Sequence, residues 1–134
     1  MILIDSTYIH SFGGKTLLEL VIQKSDVRNF YFLLDKRINL NDFKSYLNTN
    51  YTVIESNHFN RLKFYQKNYK LFSSVVCLSN VPPPLKNAIK TTVYFHNKLL
   101  LNPFAYELGL KNQILNFFKH IYIRYYNHRD YHWV

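Results

Sequence analysis

A single cysteine, Cys77, stands in the whole sequence, so no disulfide can form within the chain and a reducing compartment is the simplest setting. It sits in the apolar run "VVCLS", which predicts a buried strand residue rather than a nucleophile. Glycine is nearly as scarce, with Gly13, Gly14 and Gly109 the only three. That scarcity excludes both glycine-rich nucleotide motifs. A P-loop needs a further glycine where Ile9 stands, upstream of Gly14-Lys15-Thr16. The fingerprint G-x-G-x-x-G needs a third glycine close by, and none comes before Gly109. Long apolar runs are missing too, since none approaches the ~18 uninterrupted residues of a membrane span. No secretory leader is apparent, because Asp5 interrupts the first apolar run and no basic stretch precedes it. These absences predict a soluble, cytoplasmic protein.

Acidic residues are also few, eight against 17 Lys and Arg, which leaves a net charge of +9. Such a balance points to an anionic partner: nucleic acid, an anionic membrane or a phosphorylated ligand. The cations are scattered, densest in "NRLKFYQKNYK" and "KNQILNFFKHIYIRYYNHR", and scatter more often marks solvated surface than a nucleic-acid face. What is abundant is apolar and aromatic: 48% of residues are hydrophobic, with 12 Tyr and 11 Phe, so the chain is not of the disordered class. Its 134 residues predict one domain with a real core.

The apolar runs fall into a regular order. "MILIDST", "NFYFLLD", "YTVIES", "SSVVCLSN" and "TTVYFHN" read as five buried strands, their apolar residues consecutive rather than alternating. "GKTLLELVIQKS" reads as a helix with Leu17, Leu18, Val21 and Ile22 on one stripe. "NLNDFKSYLN" reads as a short helix or loop with an Asn or Asp cap. "HFNRLKFYQKNYKLF" places Phe59, Leu62, Tyr65, Tyr69 and Phe72 near helical spacing. "VPPPLK" must be extended, because proline fixes φ and bars helix at the residue before it. A long helix is predicted from about Glu107 to about Arg129, with Leu110, Ile114, Phe117, Ile121 and Tyr125 packed on the sheet. Its remaining directions mix Lys111, Lys119, Arg124 and Arg129 with Phe118, Tyr122 and Tyr126. That mixture suits an anionic membrane surface; the alternative is that these aromatics finish the core. Strands of buried type alternating with helices predict an α/β fold, Rossmann-like and doubly wound around a mainly parallel sheet. The closing "YHWV" looks like the start of another strand, so residues 1–134 read as a single domain truncated at its C-terminal end.

Two places carry possible chemistry. "SFGGKT" puts Gly13 and Gly14 at the carboxyl end of the first strand, where a ligand could approach bare backbone at a helix start. A tight strand-to-helix turn without ligand fits the same residues. "VYFHN" places His96 and Asn97 at the end of the fifth strand, on the same rim, where an imidazole could exchange a proton with a hydroxyl or phosphoryl group. A histidine satisfied by a backbone carbonyl is the alternative. His120, His128 and His132 have only Asp130 nearby, and Asp130 and His132 read as surface residues, so no metal is expected.

The order "MILIDST", "GGK", "SNVPPPLK" and "TTVYFHNKLLLNP" resembles the N-terminal half of a bacterial group 1 glycosyltransferase over essentially the whole chain. The resemblance implies one half of a GT-B architecture, in which two Rossmann-like domains face each other across a cleft. It implies an acceptor-side domain, with a glycan or lipid-linked acceptor and a nucleotide-sugar as co-substrate rather than a resident cofactor. By resemblance Gly13 and Gly14 would lie under the donor's phosphates or sugar, with Lys15 adding charge. His96 would face the reacting centre as the catalytic residue, beside Asn97. No pair of glutamates here has the spacing of the family's donor site, so catalysis is not expected without a donor-binding domain. The rival expectation is a basic, non-catalytic α/β module binding nucleic acid or another anionic polymer.

Overall fold

The computed structural model describes residues 1–43, 45–47, 50–85, 89–94, 110–126 and 131–133. Six strands form one sheet: β1 (Ile2–Ser6), β2 (Phe30–Asp35), β3 (Tyr51–Ile54), β4 (Ser74–Cys77), β5 (Lys90–Val93) and β6 (Tyr131–Trp133). Their order is β3-β2-β1-β4-β5-β6, and every neighbouring pair is parallel. All five apolar runs are strands, and Tyr131–Trp133 is a sixth. The α/β, Rossmann-like reading is thereby met.

Alternation along the strands assigns each face its helix. Leu3, Leu33, Val75, Cys77 and Val93 point to one face and meet Phe64, Tyr65 and Phe72. Phe64 and Tyr65 lie on α2 (His58–Asn68), Phe72 just after the 3-10 turn that extends it. Ile4, Phe32 and Leu34 point to the other face and meet Leu18 and Ile22 of α1 (Phe12–Lys24). Where a short helix or loop was expected after β2 there is a 3-10 turn, Leu40–Asp42, capped by Asn39. Ile38 and Phe43 on either side of it close the core under α1.

Three expectations need correction. Gly13 and Gly14 do not form a turn ahead of α1; they are inside its first turn, and neither has a positive φ. On α2 the apolar spacing caught only part of the inner face: Tyr65, and Phe72 beyond the helix, are buried, but so are Arg61 and Phe64, whereas Phe59 is 63% exposed. The third lies on α3 (Leu110–Tyr126), whose predicted stripe of Leu110, Ile114, Phe117, Ile121 and Tyr125 is exposed throughout. Asn116 is its one buried position among the described residues, with Gln113, His120 and Ile123 half-buried beside it.

Arg61 is on that inner face because of an ion pair. Asp5, fully buried at the end of β1, takes Arg61 Nε at 2.9 Å and the Tyr65 hydroxyl at 2.7 Å on Oδ2. Its Oδ1 accepts from the backbone and hydroxyl of Thr7. Arg61, itself fully buried, donates onward to the carbonyls of Pro82 and Val81. Both carboxylate oxygens and all three guanidinium nitrogens have partners, which is the condition for holding a charge in the interior. The prolines of "VPPP" lack N–H groups, so the carbonyls are what the chain offers there, and one guanidinium gathers two of them. Burial pushes the neighbouring Cys77 thiol up to about 12, with the Asp5 charge adding to the effect.

Candidate functional site at the switch point

The chain leaves β1 for α1 and β2 on one side of the sheet, and reaches β4 from α2 on the other. Between the carboxyl ends of β1 and β4 the order reverses, and in open α/β sheets ligands bind in the crevice at that point. A cavity of about 520 Å³ lies there, lined by residues that include Tyr8, Gly13, Gly14, Ser79, Asn80 and Tyr94. A second of about 520 Å³ adjoins it, sharing Tyr8, Ser79 and Asn80 and adding His58, Phe118 and Tyr122.

The floor of the first cavity is the start of α1. A helix begins with four N–H groups that have no partner within it, and the aligned peptides add roughly half a positive charge. Ser11 is the cap residue, yet its side chain makes no capping hydrogen bond. By contrast Asn57 caps α2 normally, accepting from Asn60 N at 2.8 Å. A Cβ added at Gly13 would meet nothing within 4 Å, whereas one at Gly14 would touch Ile9 at 3.4 Å. The value of Gly13 is therefore an unobstructed backbone rather than an unusual φ.

The walls are strained and under-satisfied. Tyr8 and Asn80 are the two non-glycine residues with positive φ among those described, at 69° and 59°. Left-handed backbone costs a side-chain-bearing residue on the order of 1 kcal/mol, and such positions gather at functional sites when their surroundings enforce them. Here Ser56 Oγ accepts from Tyr8 N, and Arg61 lies 5.9 Å from the Tyr8 ring centre. Burial raises the Tyr8 phenol above its ordinary value, so it stays a neutral donor. Ser79, 8% exposed, has the one buried side-chain polar atom without a hydrogen-bond partner among the described residues.

Lys15, expected here, is engaged elsewhere. Lys15 Nζ is held by Asp42 at 2.9 Å and by Glu19 at 3.6 Å, and Lys15 does not line the cavity. The hydrogen bond that Lys15 donates to Asp42 raises the lysine's pKa. His96 and Asn97 lie outside the described residues, although Tyr94, just past β5, lines the crevice. At the end of β2 burial pushes the Asp35 carboxyl up, but hydrogen bonds from Arg37 and Ser56 outweigh it and hold it at about 2. An unfolded aspartate titrates near 3.9. The stabilisation is therefore complete above about pH 4 and is lost as pH falls through about 2. The urea midpoint of wild type should drop over that interval, and Asp35→Asn should flatten the drop.

Sequence reasoning missed Tyr8, Ser79 and Asn80. Asn80, the residue type that best tolerates left-handed backbone, stands just ahead of "VPPP", and that combination was the available signal. Among the described residues no three His, Cys, Asp or Glu side chains converge as a metal site would require, and no helix is long and apolar enough to cross a membrane. Compared with protein-family models, with curated proteins and with solved structures, the chain matches none.

Proposed function

We propose that the chain is the acceptor-side domain of a glycosyltransferase that moves a sugar from a nucleotide-sugar to a glycan or lipid-linked acceptor. One observation carries this reading: the uncapped first turn of α1, bare at Gly13, opens into the crevice where the sheet order reverses. A donor diphosphate is the ligand part that such a site suits, because it accepts several N–H groups and is attracted by the helix terminus. Ser79, which also lines the crevice, carries a hydroxyl with no partner among the described residues. His96 is proposed as the catalytic residue and Asn97 as its neighbour on the rim. The protein's part in the reaction is to orient donor and acceptor; transfer itself awaits a donor-binding domain.

The test is a titration followed by backbone amide NMR. Uridine and guanosine diphosphates should shift the Gly13 and Gly14 amides, inorganic pyrophosphate should compete, and the nucleosides alone should bind at least about tenfold more weakly. No turnover of a nucleotide-sugar is expected from this chain by itself. If diphosphates leave those amides unmoved while single-stranded DNA binds with a steep salt dependence, the reading passes to the basic anionic-polymer module, which the +9 charge supports.

A further inference from the structure

The helix α3 wears its apolar stripe on the outside. Leu110 is 74% exposed, Phe118 and Tyr125 are each 62%, and Ile114, Phe117 and Ile121 are exposed between them. At 3.6 residues per turn these six positions share one face, roughly 20 Å long. Soluble surfaces scatter exposed apolar residues singly and rarely align them so. The charges around the stripe have one sign. Lys111 and Arg124 flank it on opposite sides, Lys119 stands behind Lys111, and α3 contains no acidic residue. All three cations are exposed, and no carboxylate among the described residues pairs with them.

From this arrangement we infer that α3 is an in-plane anchor, docking its outward face on the surface of an anionic lipid bilayer. The apolar row would enter the boundary between headgroups and acyl chains, with Phe117, Phe118 and Tyr125 as interfacial aromatics. Lys111 and Arg124 would meet lipid phosphates on either side. A second copy of the chain fits less well, since apposing two such faces brings like-charged margins together. The inner side of α3 is tied to the body of the protein: Tyr122 meets His58 edge-on at 5.5 Å and Tyr126 meets it at 5.9 Å. Docking would consequently bring the mouth of the second cavity, lined by Phe118 and Lys119, to the membrane plane. This inference stands on α3 alone and holds or fails independently of the α1 site.

The experiment is sedimentation with vesicles of phosphatidylcholine alone and of phosphatidylcholine with about 30 mol% phosphatidylglycerol. Partition should favour the anionic vesicles by at least about tenfold and fall steeply with added salt. Lys111→Gln with Arg124→Gln should reduce it about 25-fold, each cation near an anionic surface weighing about fivefold. Ile114→Ser, Phe117→Ser and Ile121→Ser together should abolish it while circular dichroism stays native, because all three side chains face outward. Equal partition to both vesicles, or no loss in either variant, overturns the inference. So does a wild-type dimer by light scattering that the serine variant turns into a monomer, for then a second copy covers the face.

Discussion

Arg61→Met should lower stability by about 3–5 kcal/mol, measured as the shift in urea unfolding at neutral pH, because it leaves the Asp5 carboxylate buried without its cation. Against a total of about 5–15 kcal/mol that is enough to unfold a marginal domain at physiological temperature. Asp5→Leu combined with Arg61→Met should recover much of the loss, since removing both partners also removes the unpaired charge. An equal loss in the single and double variants would show that packing, not charge, holds the site. The recovered double variant still lacks the donor that gathers the Val81 and Pro82 carbonyls. The amides of residues 79–81 should therefore exchange hydrogen faster than in wild type even where global stability returns.

The same pair shows how far the chemistry of this chain can be read without its fold. Strands were legible because each is a short continuous apolar run, and a parallel sheet buried on both faces demands that pattern. Asp5 was legible only as an interruption of the first run. Nothing along the chain links it to Arg61, 56 residues away and set among surface cations. The pairing exists because β1 and α2 meet across the sheet. The error on α3 has a different cause. Helical periodicity reports which residues share a face, and it found that face correctly; it does not report whether protein, lipid or solvent lies against it. The glycine site was legible as a place on the rim. Its walls were not, since left-handed Tyr8 and the orphaned Ser79 hydroxyl depend on contacts far apart in sequence.

Gly13 offers the second large effect, and one that separates binding from folding. Gly13→Ala should stabilise the protein by about 0.5–1 kcal/mol, because the native φ is available to alanine and the unfolded chain loses freedom. Nothing lies within 4 Å of the added Cβ. Gly13→Leu should fold as well, but its side chain would stand in the crevice and cut diphosphate affinity by at least about tenfold, read by calorimetry. Undiminished affinity in the leucine variant would remove the α1 start from the ligand's path. Gly14→Leu would be a poorer probe, since Ile9 at 3.4 Å would have to move.

The central position of β1 also bears on how the chain acquires its structure. Ile2–Ser6 is paired with β2 on one side and β4 on the other, and Ser73 donates from its backbone to the carbonyl of Met1. This strand is thus in the middle of the finished sheet, with one flank closed across about 28 residues and the other only after about 72. Such separations raise contact order, and high contact order slows folding. During synthesis a β1-α1-β2 unit can assemble early, its second edge open until β4 arrives. An unpaired parallel edge flanked by Ile4 and Leu3 is a template for a neighbouring chain, so crowded nascent copies would be most prone to mispair in that interval.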